Sequence, residues 1–215
     1  MQPAFWLDVW EQPTQGFDQG CLNRSLELYI ERLNLKPGET IFVPLCGRAY
    51  DMKWLMEQGF QVLGVELSEK AIRSFFELHD LTFKTRIEGS FTCFESENIC
   101  IYQGDYFDLK AQDLSGVSAV YDRASLVAMP AEMRQDYVNH MRSQLPANTD
   151  YLLVSLEFDV EGGPPFSLTD ALITDLYTPG SHFEKLGSKD LIELEPRFMD
   201  KGCSYFLEKA HLIRF

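Results

Sequence analysis

The middle of the chain alternates between short apolar runs and helix-type segments. Residues 40–45 predict a strand and residues 49–58 a helix. A second apolar run covers residues 61–65, after which Ser68 is placed to cap a helix that has Glu69 in its first turn. Strand, helix, strand, helix in this order predicts a parallel sheet.

The rest of the chain predicts further strands and helices around this unit. An amphipathic segment at 21–33 ends before the turn Pro37-Gly38, and two runs, 82–87 and 91–94, flank Gly89-Ser90 in the manner of a hairpin. Further strands are predicted at 99–103, 117–121 and 151–156, helices at 131–145 and 168–176, and a closing antiparallel pair at 181–186 and 204–213.

Length and composition indicate one folded domain. The chain has 215 residues, of which 45% are hydrophobic and 13% aromatic, and this is enough for a sizeable core. No linker or repeat divides the sequence, so we expect a single domain over residues 1–215. Within it, we expect residues 1–35 to form an N-terminal arm and helix that act as a lid, and residues 81–97 to form a hairpin insertion.

Charge and cysteine content narrow the choice of partners. The 33 acidic residues outnumber the 19 basic ones, for a formal net charge of −14, and such a surface would repel a nucleic-acid backbone. Five scattered cysteines without a Cys-x-x-Cys pair predict free thiols in a reducing compartment. The sequence shows neither a signal-peptide pattern nor a run of membrane-spanning length. We therefore expect a cytoplasmic monomer that acts on a small molecule and binds neither nucleic acid nor membrane.

The strongest functional signal is an acidic residue at the end of the second predicted strand. Glu66 stands 21 positions after Leu45, which ends the first one. In nucleotide-binding α/β sheets, an acid at this strand tip accepts the ribose hydroxyls. Only Gly47 stands where a diphosphate-binding turn needs three spaced glycines. A ligand with ribose but no diphosphate is indicated, and S-adenosylmethionine fits better than NAD, FAD or ATP. The competing interpretation of Glu66 is a helix-capping carboxylate ahead of Ser68.

Several motifs together resemble the thiopurine S-methyltransferase family. They are Phe5-Trp6 with Trp10, Gly16-Phe17, Val43-Pro44-Leu45-Cys46-Gly47-Arg48-Ala49, Asp51-Met52, Gly64-Val65-Glu66-Leu67-Ser68-Glu69, Tyr121-Asp122-Arg123-Ala124 and Gly163-Pro164-Pro165-Phe166. The resemblance runs from Phe5 to the C-terminal strand. It implies an α/β class I methyltransferase (Rossmann-like) fold. The sheet is expected to be mostly parallel with a C-terminal antiparallel strand and to carry helices on both faces, and the cofactor is expected to be S-adenosylmethionine.

Aromatic residues and the first strand end are candidates for the sulfonium side of this cofactor. A sulfonium cation is held by aromatic faces and carbonyl oxygens. Trp6 and Trp10 share one face if their segment is helical, and the resemblance favours Trp10 as a cofactor contact, although both indoles could instead pin the arm to the core. Leu45 is expected to contribute its backbone, and Gly47 to let the turn approach the methionine moiety without a Cβ. An ordinary strand-to-helix turn is the alternative.

Two later strand ends complete the predicted cofactor site. Asp105 and Tyr106 are expected to bind the adenine amino group and to cover its ring, with a plain Gly-Asp turn as the alternative. Arg123 is expected where the cofactor carboxylate and the acceptor meet, binding the carboxylate or facing a developing thiolate. A surface ion pair with Asp122 is the alternative. The four histidines lie far apart in the sequence, so no metal site is predicted.

The acceptor pocket is predicted from aromatic and proline residues. Phe17 and Phe166, with Pro164-Pro165, offer flat apolar surface for a planar acceptor, although they could equally be core and turn residues. Two positions at this end depart from the family. Asp18 stands where members usually have His, and Arg48 where they usually have Lys.

These observations predict an S-adenosylmethionine-dependent S-methyltransferase for aromatic or heterocyclic thiols such as thiopurines, with S-adenosylhomocysteine as the second product. Acidic aromatic thiols need little base assistance, so no general base is assigned and positioning by Arg123 is expected to matter more. The family also suggests selenium or tellurium species as acceptors.

Two alternatives to this function stay open. One is a methyltransferase for a halide, thiocyanate or another thiol, to which Asp18 is relevant because its carboxylate would favour a cationic or hydroxylated acceptor. The other is a non-catalytic S-adenosylmethionine-binding module.

Overall fold

The computed structural model describes residues 3–13, 15–178 and 181–215, so positions 1, 2 and 14 of the predicted arm lie outside the described residues. The helices are α1 (Pro3–Glu11), α2 (Arg24–Tyr29), α3 (Tyr50–Glu57), α4 (Glu69–Leu78), α5 (Ala131–Gln144), α6 (Asp170–Tyr177) and α7 (Pro196–Met199). The strands are β1 (Thr40–Val43), β2 (Gln61–Glu66), β3 (Lys84–Glu88), β4 (Phe91–Ser96), β5 (Ile99–Gln103), β6 (Val117–Arg123), β7 (Asp150–Phe158), β8 (His182–Asp190) and β9 (Phe206–Arg214). Across these described ranges, no helix has the length and apolar character needed to cross a lipid bilayer.

One mixed sheet carries all of these strands, and its centre is parallel. The strand order is β3-β4-β5-β2-β1-β6-β7-β9-β8. Parallel pairing joins β5, β2, β1, β6 and β7, as the alternation of strands and helices predicted. β1 has β2 on one side and β6 on the other, so the winding direction reverses at this point. In open α/β sheets, such a reversal leaves a crevice at the carboxyl edge of the strands.

Side chains of the central strands alternate between two apolar layers, one on each face of the sheet. On β1, Ile41 and Val43 are buried in one layer and Phe42 in the other, which is the two-residue period of a strand. The first layer also contains side chains of α2, α3 and α4, and the second contains those of α5 and α6. Helices on both faces are required because a parallel sheet is buried on both sides.

The segment predicted as one helix over 21–33 consists of two shorter elements. α2 begins after Asn23, whose side-chain oxygen accepts hydrogen bonds from the backbone N–H groups of Ser25 and Leu26 at 3.0 and 3.2 Å. The last turn narrows to a 3₁₀ helix, Ile30–Leu33, which ends at Asn34 with a φ of 52°. The cap keeps Asn23 outside the helix, so its own N–H and side-chain amide bond to other parts of the fold.

Both edges of the sheet are antiparallel. β3 and β4 form a hairpin in the region of the predicted insertion, and this hairpin joins the sheet through β5. At the other edge, β8 extends beyond the predicted end at residue 186, β9 begins two residues later than predicted, and β9 lies between β7 and β8. α7 was not predicted, because four residues that begin with Pro196 carry no helical period.

A fully buried lysine joins the loop between β7 and α6 to the sheet. Nζ of Lys209 lies 2.6 Å from both Glu157 Oε2 and Asp170 Oδ1, and it donates to the carbonyl oxygen of Leu168 at 2.9 Å. Glu157 lies just before this loop, Leu168 lies near its end, and Asp170 follows it. The ammonium group of Lys209 therefore connects the two ends of the loop. Burial would raise the pKa of Asp170, but Lys185 and Lys209 hold it well below its ordinary value.

His211 lies beside this cluster, and we expect its titration to make the stability of the fold depend on pH. Its Nε2 is 3.3 Å from Asp170 Oδ1, and its ring stacks on Phe183 with centroids 5.1 Å apart. Burial lowers the pKa of His211 from 6.5 to about 4; Asp170 opposes this shift, whereas Lys209 and Lys185 add to it. Between these two pH values the folded chain keeps the ring neutral while the unfolded chain binds a proton.

We expect the free energy of unfolding to decrease as the pH falls from 6.5 toward 4, with His211 contributing up to about 1.4 kcal/mol per pH unit. The His211→Gln variant lacks the titrating group, so its stability should fall less steeply. Urea unfolding at about pH 5 and about pH 7 measures both slopes. His182→Gln, an exposed position on β8, is the control. Equal slopes in wild type and His211→Gln would contradict this assignment.

Candidate functional site

A cavity of about 500 Å³ opens at the carboxyl edge of the parallel strands. It is bounded by the ends of β2, β6, β7 and β9, by the loops that follow the parallel strands, and by α1 and α7. This volume is typical of small-ligand pockets. Eight of the ten predicted site residues line it: Trp6, Trp10, Phe17, Leu45, Glu66, Asp105, Tyr106 and Arg123.

The turn after β1 reaches the cavity through residues in the left-handed conformation. Leu45 has a φ of 45° and Gly47 a φ of 53°, and the N–H of Cys46 between them donates to Val65 O at 3.0 Å. β1 therefore ends at Val43 rather than at Leu45 as predicted. A left-handed φ costs a non-glycine residue about 1–2 kcal/mol, so surrounding contacts must hold Leu45 in place.

Glu66 ends β2, and two backbone N–H groups hold its carboxylate. Oε2 accepts from Gly47 at 2.9 Å and Oε1 from Ser68 at 2.8 Å. Burial raises the pKa of Glu66, and the N–H groups of Ser68 and Gly47 offset this rise only in part. The carboxylate therefore caps the neighbouring turns, as the competing interpretation requires, and it also lines the cavity. Each oxygen keeps lone-pair capacity for one more donor, which suits the hydroxyl groups of a ligand.

Gly47 was predicted to let the turn approach the methionine moiety, but it does not line the cavity. Its role in the structure is to make room for the side chain of Trp10. A Cβ at Gly47 would lie 2.9 Å from Cζ2 of Trp10. A glycine is required here because φ is left-handed and because the indole occupies the space of a side chain. Trp10 is itself 4% exposed.

The N-terminal arm forms an aromatic wall of the cavity. α1 carries Trp6 and Trp10 about one turn apart, and Phe17 packs edge-to-face against both, with ring centroids 6.1 and 5.4 Å away. An ion pair of 3.0 Å between Glu11 and Lys70 connects α1 to α4. The sequence left two interpretations of Trp6 and Trp10, contact with the core or contact with a ligand. In the structure these indoles pack within the arm and also face the cavity.

The two departures noted in the sequence form an ion pair with each other. Nε of Arg48 donates to Oδ2 of Asp18 at 2.5 Å, and Nη2 donates to Oε1 of Gln15 at 3.3 Å. The guanidinium also lies 5.9 Å from the centroid of the Trp10 ring. Neither Asp18 nor Arg48 lines the cavity. The Asp18 carboxylate supports the arm, so the idea that it receives a cationic or hydroxylated acceptor loses its basis.

A buried carboxylate fixes Arg123 at the cavity. Nε of Arg123 and the hydroxyl of Tyr121 both donate to Oδ2 of Asp51 at 2.9 Å, and the N–H of Asn23 donates to Oδ1 at 2.8 Å. Burial alone would lower the pKa of Arg123, but Asp51, with contributions from Tyr121 and Glu208, raises it. The guanidinium therefore remains charged while its side chain is only 13% exposed.

Asp122 points to the opposite face of the sheet, so the surface pair of Asp122 with Arg123 is not formed. Successive strand residues alternate between faces. The hydroxyls of Tyr137 and Tyr151 donate to Oδ2 of Asp122, the first at 2.7 Å, whereas Oδ1 has no hydrogen-bond partner among the described residues. Burial raises the pKa of Asp122 despite these hydroxyl donors.

Asp105 and Tyr106 line the cavity where the chain leaves β5. Oδ1 of Asp105 accepts from the N–H of Phe107 at 2.9 Å and so caps a short 3₁₀ helix; the plain-turn interpretation holds for this oxygen. Tyr106 is buried, and its hydroxyl donates to the carbonyl of Tyr137 at 3.0 Å. Burial raises the pKa of Tyr106 well above its ordinary value. Its ring is therefore a fixed apolar surface rather than an acid or base.

Phe166 does not line the cavity, which corrects its predicted contact with the acceptor. Its ring packs on Gly163, and the guanidinium of Arg134 lies 5.6 Å from the ring centroid. Its N–H donates to the carbonyl of Val127 at 2.7 Å. Pro164-Pro165 line the cavity instead. The predicted apolar surface is present, but Phe166 supports it from behind.

Several parts of the lining were not predicted, among them the following three. After β6, the loop contributes Ala124, with a φ of 65°, and residues 127–129. α7 contributes Arg197, whose Nη2 donates to the carbonyl of Gly16 in the arm at 3.0 Å. β9 contributes Glu208, which is 8% exposed. Of these, only Glu208 could have been noticed in the sequence, as a carboxylate within the predicted C-terminal strand. The positions of the others could not be predicted, because they depend on contacts between segments remote in sequence.

Metal-ligand groups and cysteine thiols are two further features that bear on the chemistry of the site. In the part of the chain that the structure describes, no group of three or more His, Cys, Asp or Glu side chains could hold a metal ion. Cys46 adjoins the cavity turn, but burial, reinforced by Glu66, raises the pKa of its thiol well above the usual value. A thiolate at Cys46 is therefore disfavoured.

Comparison with known sequences points to one family. The profile of the thiopurine S-methyltransferase family matches residues 1–214. The chain is 39% identical over 215 residues to the thiopurine S-methyltransferase of Pseudomonas putida KT2440, covering 99% of each protein. It is 38% identical over 213 residues to that of Shewanella loihica, covering 98% of each.

Solved structures with similar folds are more distant in sequence. A SAM-dependent methyltransferase from Anabaena variabilis superposes with a TM-score of 0.68 at 17% identity, over 99% of this chain and 94% of the other. The mycolic acid cyclopropane synthase CmaA1 in its apo form gives a TM-score of 0.60 at 14% identity, over 100% of both chains. At such identities the likeness concerns the fold, and the predicted class I methyltransferase fold is confirmed.

Proposed function

Because the chain belongs to the thiopurine S-methyltransferase family, we propose that it transfers a methyl group from S-adenosylmethionine to the sulfur of a small aromatic or heterocyclic thiol, with thiopurines as the reference acceptors. S-adenosylhomocysteine is the second product. One observation carries this proposal: the carboxylate of Glu66 at the end of β2, the guanidinium of Arg123 at the end of β6 and the indole of Trp10 on α1 border a single cavity, and only β1 separates the two strands in the parallel part of the sheet.

The groups around the cavity match the chemistry of S-adenosylmethionine. Glu66 has lone pairs left for the two ribose hydroxyls after its bonds to the backbone. Tyr106 offers a buried ring surface to the adenine, and Asp105 lies beside it. Arg123 is a charged donor for the ligand carboxylate. Trp10 supplies an aromatic face of the kind that attracts a sulfonium cation. No diphosphate-binding turn is needed for such a ligand.

Catalysis by this chain consists of positioning and of excluding water. Bound S-adenosylmethionine supplies an electrophilic methyl group that an acceptor sulfur attacks. The chain holds the two ligands in contact within a largely apolar cavity, where Val154, Leu156 and Phe158 of β7 form one wall. Fixing two reactants in line removes much of the entropic barrier, and an apolar wall leaves the attacking sulfur less hydrated. No general base is required for an acceptor that is already a thiolate.

The N-terminal arm is proposed to act as the lid of this cavity. Trp6, Trp10 and Phe17 cover the opening, and exposed contacts hold the arm closed, among them the ion pair of Glu11 with Lys70. Such exposed pairs contribute little individually, about 0–1 kcal/mol. The first part of the arm, α1 and the loop to Phe17, can therefore open for ligand entry while α2 and the buried sheet stay in place.

The direct test is mass-spectrometric detection of product after incubation with S-adenosylmethionine and 6-mercaptopurine. We expect S-methylated mercaptopurine and an equal amount of S-adenosylhomocysteine. Heat-inactivated protein is the control for uncatalysed transfer. A protein that binds S-adenosylhomocysteine but methylates neither this acceptor nor simple aromatic thiols would refute the proposed acceptor class while retaining the cofactor.

The Glu66→Gln variant should bind S-adenosylhomocysteine more weakly by about 1.5–3 kcal/mol, because it loses a charged acceptor for the ribose hydroxyls. Isothermal titration calorimetry measures the change. Glu69→Gln is the matched control, since this exposed carboxylate three positions later pairs only with Arg73 among the described residues. Unchanged affinity in Glu66→Gln would remove the ribose role.

The Arg123→Lys variant keeps a cation for Asp51 but loses the planar fork of the guanidinium. We expect kcat for thiol methylation to fall by roughly tenfold or more, and at least as much as the affinity for S-adenosylhomocysteine, because the guanidinium faces the reacting groups. Steady-state kinetics and calorimetry supply the two numbers. Arg73→Lys, on the exposed surface of α4, is the control. A kcat equal to that of wild type would exclude this role for Arg123.

A further inference from the structure

Glu208 is a carboxylate of the cavity that the positioning mechanism does not use. β9 alternates so that Phe206 and Glu208 face the cavity, while Lys209 points to the opposite face and holds the loop before α6. Glu208 is 8% exposed. A carboxylate is rarely buried to this extent without a specific partner.

Two neutral donors fix Glu208 without neutralising its charge. Oε2 accepts from Nδ2 of Asn23 at 2.8 Å, and Oε1 accepts from Oγ of Ser25 at 2.8 Å. Within the described ranges no cation forms an ion pair with Glu208, in contrast to Glu66 and Asp51, which are tied to backbone N–H groups or to Arg123. Each oxygen keeps a lone pair for a further donor.

Glu208 faces Arg123 across an apolar strip of the sheet. Val154 of β7 pairs with Arg123 on one side, and Leu156 of β7 pairs with Glu208 on the other. The two charged residues are thus two strand spacings apart across the sheet and two residues apart along β7, about 12 Å between backbones. Both cavity-facing side chains of β7 between them are apolar. This arrangement suits a flat ring that lies on the strip with a polar edge toward β9.

We propose that Glu208 accepts the ring N–H of an N-heterocyclic thione and receives the proton that this ring loses when its sulfur is methylated. This inference rests on the proposed function and narrows its acceptor class to rings that carry an N–H beside a C=S group. Glu208 then acts as a catalytic base for these acceptors, while aromatic thiolates without a ring N–H do not need it.

The chemistry balances without another reactant. The thione sulfur attacks the methyl carbon, the new C–S bond forms, and the electron pair of the broken bond remains on the sulfur of S-adenosylhomocysteine. The ring nitrogen gives its proton to Glu208, so a C=N bond replaces the C=S bond and the product is neutral. Glu208 later returns the proton to water. Hydrogen bonding to the N–H beforehand raises electron density on the sulfur, which favours attack.

The same charge disfavours small anions as acceptors. Asp51 pairs with Arg123, and the cavity is also lined by Arg197 and Lys201, but none of these cations forms an ion pair with Glu208 among the described residues, so its negative charge remains available beside the acceptor. A halide or thiocyanate would be repelled there, whereas a neutral ring that donates a hydrogen bond is attracted. Selectivity against simple anions therefore belongs to Glu208 and not to Asp18.

The test compares two acceptors of similar size, pyridine-2-thione and thiophenol, in wild type and Glu208→Gln. A glutamine can accept from Asn23 and donate to Ser25, so it preserves the local bonds while removing the charge. We expect kcat/KM for pyridine-2-thione to fall by at least about tenfold and that for thiophenol to change by less than about twofold. Glu208→Asp, which retains a carboxylate, should keep more of the thione activity than Glu208→Gln.

One further variant separates the role of Glu208 from the effect of net charge. Glu184→Gln removes one exposed charge on β8 and should change neither. An unaltered acceptor ratio in Glu208→Gln would overturn the proposal. Wild-type turnover of thiophenol without turnover of pyridine-2-thione would overturn it as well and leave the methyltransferase function standing. Turnover of neither acceptor would refute the function too.

Discussion

The buried carboxylate of Asp51 is the interaction on which the arrangement of this site depends. It joins α3 to two other parts of the chain: Arg123 and Tyr121 from β6, and the N–H of Asn23 at the start of α2. Asn23 in turn bonds Glu208 on β9. A charge without exposure to water must be paired, and breaking such a pair typically costs about 3–5 kcal/mol. The guanidinium, the start of α2 and the far wall of the cavity are therefore held in one relative position.

Backbone strain accompanies this network at two positions of the cavity. Leu45 and Ala124 both have left-handed φ angles without being glycine, and both line the cavity. Residues in such conformations cost about 1–3 kcal/mol each and persist only where their surroundings hold them. Here they follow β1 and β6, the strands on either side of the winding reversal. The strain turns the chain sharply away from the sheet, so the crevice stays open and backbone groups are exposed to a ligand.

The sheet and much of the site could be predicted because their signals are local. Short apolar runs alternating with helical segments fix a parallel sheet, and the carboxyl ends of parallel strands share one edge. Glu66, Asp105 and Arg123 were therefore expected to meet before any contact was known. The resemblance to the family added Trp10 and the turn at Leu45. Where the prediction was inexact, as for Gly47 and Phe166, the residue lies directly behind the cavity wall, where spacing alone cannot distinguish lining from support.

The sequence by itself determined which strand ends meet and which chemical groups they carry, because strand and helix periods are properties of neighbouring residues. Only the tertiary structure decided where those groups point and what neutralises them. Asp18 turns to Arg48, and Asn23 reaches Glu208, which is 185 positions away in the chain. Whether a carboxylate faces a ligand, an arginine or a helix cap depends on such remote contacts. They exist only once the core has brought the segments together, so no local pattern encodes them.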